Sequence, residues 1–261
     1  MDLVDIYNYV NTELADKRSN DWILVSSPIP VILVTFAYLY FVLRCGPRFM
    51  ENRKPYSLLT FIRFYNIFQI VANAMIVYHM LDAGWYQDCF IYCVVPDYST
   101  NRNAMKTVRL AWYVLSLKII DYIETGIFVL RKKWNQISFL HLYHHVSTVA
   151  YVWFILKYFT CNMSMTVGLL NSAVHVIMYS YYYLASIGPH VQKKLQLLKQ
   201  SITIIQLTQF VIMILYMAQA FIPGCPGMRI PAAVMLINIF INFYLFYDFY
   251  RKTYTVKKQK A

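Results

Sequence analysis

Three histidines, His141, His144 and His145, stand close together in an apolar stretch of the chain. On a helix advancing about 100° per residue their rings project within an arc of about 100°, so all three share one face. Imidazoles in that arrangement can ligate a transition metal, move a proton, or attack an electrophile. Lys118, Asp121 and Thr125 share a face of the preceding apolar stretch, with Glu124 at its edge. Asn171 lies one turn before His175 and Tyr179 one turn after it, while Gln206 and Gln209 form a further pair. Arg63, Asn66 and Gln69 add a polar set nearer the N-terminus.

The elements that carry these groups must lie in a membrane. The chain of 261 residues is 59% apolar and 14% charged, against about half and about a quarter in soluble proteins. Apolar stretches at 22–44, 57–80, 107–130, 137–157, 163–187, 200–222 and 230–250 each approach the ~20 residues that a spanning helix needs. All nine prolines fall between or at the ends of these stretches, as helix interiors require. The expected architecture is all-α: a polytopic bundle of seven transmembrane helices, six if the first is interfacial, forming one domain over 1–261. There is no internal repeat.

Ionisable side chains inside a bilayer are costly and mark a site or an internal hydrogen-bonded network. The alternative for amides is interhelical packing, which applies most to Gln206, Gln209 and Asn171. At ~1.5 Å per residue, Asp121, Glu124, His144, His175, Gln206, Gln209 and Asn66 are all expected about 7–14 Å below one membrane face. His79 and His190, at a helix end and in a loop, read as structural.

Basic residues identify that face. Alternate connections hold 15 lysines and arginines against 6 on the opposite side, which also carries eight of the twelve acidic residues. The positive-inside rule therefore puts the N-terminus in the lumen and the C-terminus in the cytosol. The acidic N-terminal segment does not resemble a cleavable signal peptide. The net charge of +12 is split among short loops without a recognition motif, which argues against nucleic acid as a partner. Cys89, Cys93 and Cys225 are expected on the oxidising side, where a disulfide is permitted. Cys93 with Cys225 is the preferred pair, and Cys89 remains open as an alternative. The sequon Asn162-Met163-Ser164 sits in a very short turn, unfavourable for modification.

A metal is the weaker use of these histidines. Membrane di-iron desaturases and hydroxylases need more histidines than the six present, so no metal or other cofactor is expected. Nor can a cysteine carry an acyl group at this depth: Cys89, Cys93, Cys161 and Cys225 are assigned to the lumen, and Cys45 to the cytosolic edge of the first helix. A seven-helix transporter or receptor is the non-enzymatic alternative; neither an internal repeat nor a broken helix supports transport.

Four motifs, in order, resemble those of the ELO family of fatty acid elongases. Lys118-Ile-Ile-Asp121-Tyr-Ile-Glu124-Thr125 is similar to the family's Lys-x-x-Glu-x-x-Asp-Thr box with the acids exchanged. His141-Leu-Tyr-His144-His145 matches its histidine box. Asn171-Ser-Ala-Val-His175-Val-Ile-Met178-Tyr179 and Thr203-Ile-Ile-Gln206-Leu-Thr-Gln209 match the remaining two. The similarity runs from roughly Trp22 to Tyr250, and Gly46-Pro47-Arg48-Phe49-Met50-Glu51-Asn52-Arg53 looks especially like animal members.

The resemblance implies condensation of a long-chain acyl-CoA with malonyl-CoA to a 3-ketoacyl-CoA in the endoplasmic reticulum. It also implies an acyl tunnel, and reductase and dehydratase partners completing the cycle; homo- or hetero-oligomers are compatible with it. His144, His145, His141, His175 and Asp121 become the catalytic candidates, with Lys118, Glu124, Thr125, Asn171, Tyr179, Gln206 and Gln209 in support. CoA phosphates would meet Arg131, Lys132, Lys133, Lys193, Lys194 and Lys199. Lys257, Lys258 and Lys260 look like a dilysine retrieval signal without its usual spacing.

Overall fold

The computed structural model describes residues 2–83, 93, 96–160, 162–225 and 229–255. Cys89, Cys161 and the three C-terminal lysines lie outside them. The described residues contain helices and connecting segments, without strands. Helix α1 spans Leu3–Asn8, α2 Ile29–Tyr40, α3 Gly46–Met50, α4 Leu59–Asp82 and α5 Arg102–Ile120. They are followed by α6 Tyr122–Leu130, α7 Phe139–Tyr158, α8 Asn162–Ala185, α9 Pro189–Lys194, α10 Leu198–Ala218 and α11 Arg229–Tyr250.

The helical runs Ile29–Met50, Leu59–Asp82, Pro189–Phe221 and Arg229–Thr255 are long and apolar enough to cross a bilayer. This is a multi-pass membrane protein. Helices α5 to α8 occupy the expected third, fourth and fifth stretches, but the polar residues that make them interesting also dilute their hydropathy.

The first apolar helix starts later than its composition suggests. Pro28 is the N-cap and Pro30 sits in the first turn, where a proline costs no helical hydrogen bond. Residues 22–28 run instead as turns, with Leu24 in the left-handed region at φ 70°. A π-helical segment, Phe41–Cys45, joins α2 to α3 and carries the helix on to Met50. Cys45 therefore lies within the helical run, exposed, rather than at its end.

The third apolar stretch is likewise not one uninterrupted helix. It breaks at Asp121, where the Glu124 amide donates to the Asp121 carbonyl at 3.1 Å, a tight i→i−3 bond. The local cause is this change of hydrogen-bond register, and it removes the absence of a broken helix as an argument against transport. Helix α6 ends in a Schellman turn: the Lys133 amide donates to Phe128 O at 2.8 Å and Lys132 takes φ 55°.

The chain forms two compact units, Met1–Ser57 with Pro96–Met165, and Leu58–Val95 with Thr166–Ala261. In the first, α5 packs on α7 and α6 on α3. Val108, Leu115, Val129, Val149 and Leu156 are buried there. Lys157, fully buried, ties the end of α7 to the segment before α2: its Nζ donates to Asn20 Oδ1 at 2.6 Å and to the Val25 and Ser26 carbonyls at 3.0 and 3.3 Å. In the second unit α10 packs on α11, and Met213, Met235 and Ile239 on these helices are buried. The Arg63 guanidinium there donates to the Ser186 and Ile187 carbonyls just past α8, and Cys93 and Cys225 form a disulfide with Cα atoms 5.5 Å apart.

Candidate active site

In the first unit the break at Asp121 divides two polar groups. On its near side Lys118 and Asp121, 5% and 2% exposed, form an ion pair with Nζ 3.3 Å from Oδ2. Beyond it Glu124 turns toward the histidines, its Oε2 3.9 Å from His145 Nε2. The two acids that the motif exchanges thus have different ion-pair partners, Lys118 for Asp121 and His145 for Glu124, a point that the sequence left open. Asp121 balances a buried ammonium, and Glu124 stands by an imidazole.

Helix α7 begins at Ser138, whose hydroxyl accepts from the His141 amide. Such a cap satisfies an amide at the helix start and sets where the histidine face begins. His141 Nε2 lies 2.8 Å from Thr125 Oγ1, and Thr125 Oγ1 lies 3.0 Å from Tyr38 OH. The His141 and His145 ring centroids are 4.3 Å apart, and those of His144 and His145 are 5.6 Å apart with the rings nearly perpendicular. The three imidazoles are therefore one cluster, held at one end by Thr125 and approached by Glu124. Neutral imidazole has one donor and one acceptor nitrogen, and the Thr125 contact at His141 Nε2 accommodates either tautomer.

Tyr38 and Tyr122 are neighbours that motif reasoning missed. Their rings stack with centroids 4.0 Å apart, and Tyr122 OH reaches Thr35 Oγ1 at 3.0 Å. With 24 tyrosines in the chain, nothing in spacing singles these out. Only the packing of α2 against α6 does.

In the second unit His175 and Tyr179, 6% and 1% exposed, have ring centroids 5.6 Å apart. Tyr65 meets Tyr179 edge-on at 6.0 Å, and Gln69 Nε2 donates to Tyr65 OH at 2.9 Å. Asn171 sits one turn before His175 on α8. Gln206 Nε2 contacts Met178 Sδ at 3.5 Å, and Gln209 Nε2 contacts Met213 Sδ at 3.8 Å. The Gln206 contact joins α10 to α8, whereas Met213 lies one turn along the same helix as Gln209.

The cationic candidates lie at helix ends. Arg131, Lys132 and Lys133 follow α6, where Lys132 Nζ donates to Glu51 O at 3.2 Å. Lys193 and Lys194 close α9 and Lys199 opens α10, all three exposed. Among the described residues no group of three or more His, Cys, Asp or Glu is placed to hold a metal ion.

The chain matches the GNS1/SUR4 (ELO) family over residues 23–261. It is 37% identical over 259 residues to very long chain fatty acid elongase 1 of Homo sapiens, covering 98% of this chain and 92% of that one. With elongase 1 of Mus musculus the identity is 37% over 248 residues, 94% and 88% of the two chains. With elongase 7 of Drosophila melanogaster it is 34% over 247 residues, 94% and 75%.

Proposed function

Since the chain belongs to the ELO (GNS1/SUR4) family, we propose that it is a 3-ketoacyl-CoA synthase, condensing a long-chain acyl-CoA with malonyl-CoA. The observation that supports this most is the cluster of His141, His144 and His145 with Glu124 and Thr125, on motif residues of that family. Neutral His144 attacks the thioester carbonyl; a C–N bond forms, the C–S bond breaks, and the thiolate leaves as CoA with the proton that the ring gives up. Malonyl-CoA then loses CO2, and the electron pair of the broken bond becomes its enolate. The enolate carbon attacks the acyl-imidazole, a C–C bond forms as the C–N bond breaks, and the ring takes up one proton from solvent, which the overall reaction consumes.

Glu124 orients His145, as the third member of a triad orients its base. Thr125 fixes His141, and Asp121 balances Lys118. His175 with Asn171 is assigned the developing oxyanion or enolate, as the family motifs imply, with Tyr179, Gln206 and Gln209 supporting it. A water-poor setting protects the acyl-imidazole from hydrolysis.

The proposed topology is a single domain of seven transmembrane helices enclosing an acyl tunnel, in the endoplasmic reticulum membrane. Its N-terminus is luminal and its basic loops cytosolic. Arg131, Lys132 and Lys133, and Lys193, Lys194 and Lys199, meet the CoA phosphates there. Reductases and a dehydratase act on the product to complete the cycle, and the condensation itself needs no metal or organic cofactor.

The test incubates purified protein with a panel of acyl-CoAs and labelled malonyl-CoA, with and without a chelator, following CO2 and product mass. A 3-ketoacyl-CoA two carbons longer than the substrate, formed in both conditions and lost in His144→Ala, is the expected result. Intact mass after acyl-CoA alone should show one acyl adduct, absent in that variant. Turnover without an adduct would replace the covalent scheme with general-base catalysis, and no product in an active lipid environment would overturn the condensing-enzyme reading.

A further inference from the structure

A cavity of about 350 Å³ opens on the first unit, between the turn segment before α2 and the middle of α5, lined by Trp22, Ile23, Arg109, Trp112 and Tyr113. Its shape is fixed by a wall-to-wall bond, Trp112 Nε1 donating to the Ile23 carbonyl at 2.8 Å. Ile23 and Tyr113 are 75% and 54% exposed, so apolar surface continues from the cavity outward. Arg109 is exposed and has no hydrogen bond, ion pair or ring contact among the described residues. Asp21, beside Trp22 in the chain, makes no ion pair with Arg109 among the described residues, and Asp16 is engaged by Arg18.

This arginine stands on a face shared with other basic residues. Arg102, Lys106 and Arg109 fall within about 60° on α5, so three basic residues share one face, and only Arg102 stands in the first turn, where the helix dipole disfavours a cation. On the proposed topology they are also on the luminal side, where basic residues are depleted. Lys118 projects about 180° away from Arg109, so the face with the cavity is the reverse of the one carrying the ion pair with Asp121. An anion supplied from outside the chain offsets the positive charge gathered on that face. A guanidinium binds a phosphate diester through two parallel N–H donors, and Trp and Tyr rings suit the level of the headgroups and first methylenes.

We propose that this cavity binds a membrane glycerophospholipid, Arg109 holding its phosphate and Trp22, Trp112 and Tyr113 flanking its glycerol and upper acyl chain. The lipid is a permanent partner rather than a substrate, and its binding does not depend on condensation. Only its assignment to the luminal leaflet rests on the topology above.

The test is native mass spectrometry of the delipidated full chain in detergent, titrated with dioleoyl phosphatidylglycerol or with dioleoylglycerol, which lacks the phosphate. Wild type should retain one tight phospholipid that Arg109→Gln binds at least fivefold more weakly. Arg251→Gln, which removes another exposed arginine, should bind like wild type, and Trp22→Leu should weaken retention. If Arg109→Gln lowers the melting temperature, Arg109→Lys serves instead, with partial loss expected because a point charge replaces the fork. Equal phospholipid occupancy in wild type and the Arg109 variants would overturn the proposal. So would equal retention of dioleoylglycerol, or displacement of the lipid by millimolar inorganic phosphate. Turnover is not read, so failure here is distinct from failure of the condensing-enzyme assignment.

Discussion

Thr125 stands between Tyr38 and His141, and valine has its shape without its hydroxyl. Thr125→Val leaves a phenol and an imidazole nitrogen short of a partner, which costs about 1–3 kcal/mol at a buried site. Turnover is expected to fall roughly tenfold, the equivalent of about 1.4 kcal/mol, with a lower melting temperature; Tyr38→Phe, which spares the Thr125–His141 contact, should lose less. The pair Lys118–Asp121 separates structure from chemistry. Asp121→Asn leaves a buried ammonium without its counter-charge, and breaking such a pair costs about 3–5 kcal/mol. The double variant Lys118→Met/Asp121→Leu should recover most of that stability. If its activity recovers as well, the pair is structural; if stability returns without activity, at least one of the two charged groups also serves the histidine cluster.

At the level of elements, hydropathy and proline placement predicted where helices lie to within a few residues for α4, α7, α8, α10 and α11. They predicted nothing about hydrogen-bond register within a helix. The break at Asp121 and the π-segment at Phe41–Cys45 follow from backbone bonding that leaves apolar spacing unchanged. The same applies to Tyr38, brought to Thr125 by packing alone, whereas the imidazole cluster was legible because one helix supplies all of it. The π-segment delivers Gly46 against Val129 of α6: a Cβ built at Gly46 would lie 2.5 Å from Val129 Cγ1 and 2.8 Å from the Phe41 carbonyl. One contact is backbone, so a rotamer change cannot relieve both. Gly46→Ala should destabilise by about 1–3 kcal/mol through overpacking, and Gly46→Ala/Val129→Ala should restore only the part due to the side chain. Thermal unfolding of the two variants measures that division.

For the whole molecule, the chain order makes the disulfide consequential. The chain builds Leu58–Val95 of the second unit, leaves it to form Pro96–Met165 of the first, and returns at Thr166. Cys93 and Cys225, 132 residues apart, close that excursion within the second unit. Cross-linking so long a loop restricts the unfolded chain by about 5 kcal/mol in the loop-entropy account. Cys93→Ser should therefore melt roughly 10 °C below wild type. A reductant should lower wild type to the same point while leaving the variant unchanged. The same cysteines report topology, because the proposed orientation places them on the oxidising side. In sealed microsomes of the Cys93→Ser variant, Cys225 should resist a membrane-impermeant maleimide until detergent opens the vesicle, while a cysteine introduced by Asn52→Cys, exposed in the first basic connection, serves as the opposite-side reference. Labelling of Cys225 in sealed vesicles would reverse the orientation, and with it the assignment of the basic loops to cytosolic CoA, without altering the chemistry proposed for the histidines.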